Sequence, residues 1–277
     1  ANQSKTNHIM KNDKITLAHG SGGKLTHELV KQLFLPRFNN KALSQLGDSA
    51  ILHIHGMRIA FTTDSYVVKP LFFPGGDIGM LAVNGTINDL AVVGAEPMFL
   101  SAGFIIEEGF ELSLLEKVVN SMKEAATLAS VEIVTGDTKV VEKGSVDGLY
   151  MNTCGIGIVN DGIHLSTSSI EIGNKIIVSG TLGDHGMAVL SERDSLGFTP
   201  SIKSDCAPLS GMIKKILASG AHIKFMRDPT RGGLATTLNE IVNTQKYGIV
   251  IEEQAIPVND GVRALCEILG YDPLYIA

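Results

Sequence analysis

The chain has 277 residues with 23 lysines and arginines against 29 aspartates and glutamates, a formal net charge of −6, so it lacks the basic footprint of a nucleic-acid binder. With 44% hydrophobic and 19% charged residues it can build packed cores and is far from the composition of a disordered chain. Thirty glycines point to tight loops and close backbone approaches, and three cysteines (Cys154, Cys206, Cys266) without a C-x-x-C pair argue against a disulfide framework or a zinc site.

Two domains are expected from the length, at about 150 residues each. In chain order, the first feature is the loop His19-Gly20-Ser21-Gly22-Gly23-Lys24, followed by a helical pattern over 25–33. Short strands are expected at 50–55 and 58–63, joined by a turn that is not among the strongest hairpin types. Pro74-Gly75-Gly76-Asp77 opens a helix to residue 93, with Asp77 as N-cap, Gly94 as stop and Pro97 just beyond. Residues 98–106 read as a strand, 112–129 as a helix, 131–134 as a strand and 149–159 as a long strand carrying Cys154. The polar, turn-rich segment 160–174 is the natural boundary, dividing the chain into domains 1–162 and 163–277.

Beyond it come a strand at 175–181, a helix opened by Gly183-Asp184-His185-Gly186, a helix at 206–217 and a strand at 223–226. A helix starting at Asp228-Pro229, a strand at 248–252 and a helix at 259–269 follow. The alternation predicts mixed α/β structure in both halves. Residues 274–277 read as the start of another strand, so the second domain is expected to be incomplete. The most apolar stretch, 81–106, is interrupted by Asn84, Asn88, Asp89, Glu96 and Pro97 and does not qualify as a membrane span. The amino-terminal residues carry no apolar run of the secretory type, so a soluble, cytoplasmic protein is expected.

Four aspartates fall where strands or helices meet loops. Asp48 precedes the first strand, and Asp64 ends the second within Thr62-Thr63-Asp64-Ser65. Asp89 follows Asn88 in an apolar helix, with Asn84 one turn earlier on the same face, and Asp137 lies in Thr135-Gly136-Asp137-Thr138-Lys139. Carboxylates brought together raise one another's pKa unless a cation neutralises them. Hard oxygen ligands suit Mg²⁺, which takes one or two carboxylates and completes its shell with water and phosphate. Taken singly, each aspartate reads more simply as a cap or turn residue.

The glycine loop is not a Walker A sequence, because Leu25 follows the lysine and the spacing differs. Gly155-Ile156-Gly157 lacks a third glycine and lies in a strand, which rejects a dinucleotide fingerprint. Asp228-Pro229-Thr230-Arg231-Gly232-Gly233 places Asp at an N-cap, Pro at the first helical position and Arg231 in the first turn. A cation beside the positive end of a helix dipole is unfavourable unless an anion sits there too, which tilts this motif toward phosphate. Cys266 falls on the core stripe Val262, Leu265, Cys266, Leu269, and Cys154 is expected to be buried in its strand. Cys206, near a helix start that would stabilise a thiolate, has no identifiable base. His53 and His55 share a strand face but have no third ligand in view.

As a set, His19-Gly-Ser-Gly-Gly23, Thr63-Asp64-Ser65-Tyr66, Phe73-Pro-Gly-Gly-Asp-Ile-Gly79, Asn88-Asp89, Gly94-Ala-Glu-Pro97, Thr135-Gly-Asp-Thr-Lys139, Ser179-Gly-Thr-Leu-Gly-Asp-His-Gly186 and Asp228-Pro-Thr-Arg-Gly-Gly233 closely resemble the HypE family of hydrogenase maturation factors. The Thr-Gly-Asp-Thr-Lys and Asp-x-Thr-Arg-Gly-Gly runs are similar to those of aminoimidazole-ribonucleotide (AIR) synthetase, selenophosphate synthetase and thiamine-monophosphate kinase. The resemblance implies an AIR-synthetase-like two-domain α/β fold whose amino-terminal sheet domain forms a homodimer. It implies ATP with Mg²⁺, the metal at Asp48, Asp64, Asp89 and Asp137, and the nucleotide at Gly20, Ser21, Gly22, Gly23, Asn88, Thr138, Lys139, Asp228 and Arg231. The implied reaction is ATP-dependent dehydration of a carboxamide, carried as a thiocarbamate on a terminal cysteine, to a thiocyanate. The implied partners are the carbamoyl-transferring factor HypF and the iron-carrying HypC–HypD complex.

The family continues beyond the position of Ala277 with Asn-Glu-Gly and ends in Pro-Arg-Ile-Cys or similar. The substrate-bearing thiol and that glutamate are therefore not among these residues, and the catalytic groups stay unassigned. This chain is expected to bind nucleotide without completing the cyanide chemistry. A selenophosphate synthetase or another small-molecule kinase of the same fold is the nearest rival, although such synthetases usually carry Cys or selenocysteine in the glycine loop, where this chain has only Lys24. A non-catalytic dimerisation and docking module is the rival from another class, and nucleotide binding separates it from the enzymes.

Overall fold

Alternation of inward and outward side chains, clearest in the long strand Leu149–Val159, sets the two faces of the sheet in the first half of the chain. The computed structural model describes residues 14–193, 201–243 and 245–277. A 3-10 turn (Leu17–Gly20) leads through the glycine loop into α1 (Lys24–Leu29), a π-helical stretch (Val30–Phe34) and α2 (Leu35–Phe38), a longer helical run than the pattern over 25–33 predicts. β1 (Ala50–Ile54) and β2 (Met57–Tyr66) form a hairpin whose two turn residues, His55 and Gly56, both have positive φ, at 49° and 82°. That is the primed-turn geometry that matches strand twist. His55 therefore sits in the turn and does not share a strand face with His53.

The short strands β3 (Phe72–Phe73) and β4 (Gly76–Asp77) form a small ribbon before α3 (Ile78–Val92). Asp77 caps α3 as expected, its carboxylate accepting from the N–H groups of Gly79 and Met80 at 2.7 and 3.1 Å. β5 (Ala95–Glu107), α4 (Leu112–Ala129), β6 (Glu132–Val141) and β7 (Leu149–Val159) complete the domain. The sheet order is β1-β2-β7-β5-β6, with only the β5–β6 pair, bridged by α4, parallel. Leu149, Met151, Thr153 and Val159 of β7 are buried on the inner face. Ile78, Ile87, Val118 and Met122 of α3 and α4 supply the opposing core side chains. Each such large side chain is worth roughly 1.5–3 kcal/mol when removed from water. The outer face is uncovered and presents Phe61, Phe99, Ile105, Ile156 and Ile158 to solvent. Cys154 lies half-buried on this face, not inside the core.

The second half contains α5 (Asp184–Arg193), α6 (Ser210–Ala218), α7 (Gly233–Val242) and α8 (Asp260–Leu269). Met187, Val262, Leu265 and Cys266 form its core, as the α8 stripe predicts. Ile213 of α6 packs on Ala91 and Val92 of α3, joining the two halves. Several expectations fail here. Residues 175–181, 223–226 and 248–252 are irregular, and no described residue after Val159 belongs to a strand. Their β-branched composition supplies propensity, but a strand exists only with a ladder partner; Ile177 and Val250 are 87% and 92% exposed.

The helix expected from residue 206 begins at Ser210, because the segment before it is bonded to the first half: Ser204 N–H donates to Pro74 O and Leu209 N–H to Asn88 Oδ1, both at 2.8 Å. Pro208 also disfavours helical geometry in the residue before it. The expected terminal strand is a 3-10 turn (Pro273–Tyr275), and Ala277 O accepts from Gly186 N–H at 2.7 Å. Among the described residues no helix is long and apolar enough to cross a membrane.

Candidate nucleotide site

The hairpin and α3 converge three of the aspartates that the sequence singles out. Asp48 enters β1, Asp64 lies near the end of β2 and Asp89 in the last turns of α3. The Thr62 hydroxyl is 2.9 Å from the Asp48 carbonyl oxygen and 3.1 Å from Asp89 Oδ2, and the Ser49 hydroxyl donates to the Asp89 carbonyl at 2.8 Å. Burial pushes Asp89 from 3.8 up to about 8, reinforced by Asp228, Asp48 and Asp64. Burial likewise raises Asp48 to about 7, partly opposed by Arg227 and reinforced by Asp228 and Glu240. Asp228 is raised by burial as well, with Arg227 pulling it down and Asp64 pushing it up. Asp48, Asp89 and Asp228 thus each feel neighbouring carboxylates, and two arginines stand beside the group. Arg227 Nε lies 3.2 Å from Asp48 Oδ1, and an Arg231 terminal nitrogen lies 3.3 Å from Asp64 Oδ1.

Some 200 residues apart in sequence, the glycine loop and the Asp228–Gly233 motif pack together. Gly22 has φ of +81°, and a Cβ there would stand 2.8 Å from Arg231 Cβ and 2.9 Å from its carbonyl oxygen. Only glycine allows both the left-handed backbone and this approach. The helix expected from Asp228-Pro229 begins at Gly233, because Gly232 and Gly233 both adopt positive φ, 77° and 61°. Arg231 therefore precedes the helix and is held by Asp64, so the dipole argument for an anion at this residue does not apply. Gly22, Asp48, Arg227, Asp228, Arg231 and Glu240 line a cavity of about 150 Å³, together with Thr230, Thr236 and Thr237.

Other candidates lie elsewhere in this chain. Asp137 is in register with Gly103, and Gly103 with Asn152, which pairs with Ser65. Asp137 is thus three strand spacings, about 14 Å, from β2. By alternation it faces outward with Lys139, whereas Asp64, opposite the buried Thr153, faces inward. Thr138 and Lys139 are exposed beside it on β6. Asn88 does not point at the carboxylates: its Nδ2 donates to Ala207 O at 3.0 Å and its Oδ1 accepts from Leu209. Asn84 Nδ2 lies 3.5 Å from Cys206 Sγ. The Asn84–Asn88 stripe therefore docks segment 204–209 onto α3. Cys206 is no stabilised thiolate either; burial pushes it up to about 11.

Arg227 and Glu240 were not among the expected site residues. Arg227 adjoins the Asp228 motif directly, a local signal, whereas Glu240 on α7 reaches the pocket only through the tertiary fold. Among the described residues no three His, Cys, Asp or Glu side chains stand close enough together to hold a metal by themselves. An all-carboxylate donor set with two arginines standing in as cations nevertheless fits Mg²⁺, which needs one or two carboxylates when phosphate supplies other ligands.

A family pattern described as AIR synthase related protein, N-terminal domain, matches residues 46–159, and the corresponding C-terminal domain pattern matches 171–277. An AIR-synthase-related protein is the class that fold and sequence define together; a ThiL protein complexed with AMPPCP and TMP shares the fold at TM-score 0.72 and 18% identity, over 95% of this chain and 82% of its own. The carbamoyl dehydratase HypE of Bradyrhizobium diazoefficiens is 49% identical over 269 residues, covering 97% of this chain and 78% of that protein. The Escherichia coli protein of the same name is 46% identical over 270 residues, covering 96% and 80%. A HypE–HypF complex superposes with TM-score 0.85 at 51% identity, over 90% of this chain and 81% of its own. The chain belongs to the HypE family.

Proposed function

We propose that this chain is the body of an ATP-dependent carbamoyl dehydratase of NiFe-hydrogenase maturation. The observation that carries this reading is 46–50% identity with curated HypE proteins across almost the whole chain, and a HypE solved in complex with ATP at 48% identity and TM-score 0.78, over 95% of this chain and 78% of its own, supports it. In the reaction, the carboxamide oxygen of a protein-bound thiocarbamate attacks the γ-phosphorus of ATP and ADP leaves. Phosphate then departs with the former amide oxygen, the nitrogen loses its two protons, and a thiocyanate remains. Such chemistry depends on positioning and charge neutralisation, which suits a pocket of carboxylates and arginines without a protein nucleophile. Mg²⁺, when bound by Asp48 and Asp89 with Asp64 and Asp228 in electrostatic reach, would offset phosphate charge. The Gly20–Gly23 loop would offer backbone N–H groups to phosphate oxygens, with Asp228 and Arg231 closing the pocket.

Asp137, Thr138 and Lys139 belong to the same site in this reading, through a homodimer built on the outer sheet face. Pairing two such faces covers the exposed apolar side chains, and Asp137 and Lys139 face the same way. The division into domains 1–162 and 163–277, cytoplasmic location, and action with HypF and HypC–HypD are parts of the same proposal. The test is to supply this chain, extended to end in a family-type terminal cysteine, with HypF, carbamoyl phosphate and ATP. Intact mass should record addition of a carbamoyl group and then loss of one water upon ATP turnover; ATP-independent loss would refute the dehydratase reading.

A further inference from the structure

His19, at the start of the glycine loop, is buried, but no residue from Gly20 to Asp48 is, so α1, which contains no buried residue, is not itself anchored in the core. Its tether is polar. His27 Nδ1 in α1 lies 3.4 Å from Glu240 Oε1, while the other Glu240 oxygen, Oε2, takes an Arg227 terminal nitrogen at 3.0 Å. The same guanidinium reaches Asp48 through Nε. Glu240 is only 16% exposed and lines the cavity beside Gly22 and Asp228. Within the loop, Gly22 N–H donates to Thr26 Oγ1 at 3.0 Å, so movement of α1 is transmitted to the glycines.

We propose that Glu240 is a positioning residue that latches the glycine loop over the carboxylate pocket, one oxygen holding α1 through His27 and the other holding Arg227 against Asp48. The inference rests on the nucleotide reading and deepens it by naming what couples loop closure to the pocket. A partly buried ion pair is poor evidence of stability in itself, because its desolvation offsets its attraction. What the arrangement supplies is geometry: one α7 side chain meets α1 through one oxygen and, through the other, the arginine that contacts Asp48.

The experiment uses the whole chain and compares wild type with Glu240→Gln and His27→Gln. Amide exchange by mass spectrometry follows peptides spanning 20–34 and those of β2 and β7, and calorimetry measures binding of a non-hydrolysable ATP analogue with Mg²⁺. Glu240→Gln is expected to speed exchange over 20–34 roughly tenfold, leave β2 and β7 unchanged and weaken the analogue about tenfold. His27→Gln, which leaves the Arg227 contact intact, is expected to reproduce the loop exchange and part of the affinity loss. Unchanged loop exchange in either variant, or a rise spread equally over the sheet, overturns the latch; should Glu240→Gln not fold, His27→Gln decides. If wild type binds no analogue, the nucleotide reading fails, while loop exchange without nucleotide still decides the latch.

Discussion

Replacing Asp89 by asparagine should stabilise the protein at alkaline pH while weakening its hold on magnesium nucleotide. Asp89 is pushed from 3.8 to about 8, first by burial and then by Asp228, Asp48 and Asp64. Its folded pKa lies above the unfolded one, so between those values the folded state binds more protons. Stability then falls as pH rises through the window, and the cost is complete above about pH 8. At about 1.4 kcal/mol per pKa unit the full cost is several kcal/mol, which neighbouring carboxylates share, leaving about 2–3 kcal/mol for one substitution. Asparagine keeps an oxygen to accept from Thr62, so no hydrogen bond is lost. In thermal unfolding the variant should melt roughly 5–10 °C higher at about pH 9, with the gain shrinking towards about pH 4.5. Added Mg·ATP should raise the melting temperature of wild type more than that of the variant. A gain that is absent at alkaline pH, or equal at both ends, would show that Asp89 does not carry an unneutralised charge in a crowded pocket.

Other substitutions test the remaining geometry. Gly22→Ala places a methyl 2.8 Å from Arg231 Cβ at a positive φ, so stability should fall by about 1–3 kcal/mol in denaturant titration and nucleotide affinity should drop with it; wild-type values for both would mean the loop does not pack there. Asp137→Asn, at an exposed position on β6, should leave the melting temperature unchanged and weaken Mg·ATP about tenfold in calorimetry. Unchanged affinity would remove Asp137 from the site. Ile156→Asp puts a charge in the middle of the exposed apolar sheet face and should convert a micromolar dimer to monomer in sedimentation; a dimer that survives would place the interface elsewhere.

Local physics made the first half of the chain legible. Helix Leu112–Ala129 and strand Leu149–Val159 match their sequence patterns, since side-chain period and burial act within a few residues, and the Asp77 cap is read from the run Pro74-Gly75-Gly76-Asp77. Residue types marked Asp48, Asp64, Asp89 and Asp228 as candidates, and family resemblance supplied nucleotide chemistry.

Which of these residues meet was decided only in three dimensions. The strand order β1-β2-β7-β5-β6 gathers Asp48 and Asp64 near Asp89 and sends Asp137 to the far edge and opposite face. Asn88 had the right type and neighbour, but the approach of segment 204–209 claims its amide. The second half yielded its helices to periodicity and misled on its strands, because a helix closes its hydrogen bonds within itself while residues 175–181 and 248–252 need a neighbouring strand that composition cannot supply. Glu240 carries no local signal, and only the tertiary fold brings its two oxygens to His27 and Arg227. Contacts of that kind depend on how distant segments pack, and no local pattern encodes them.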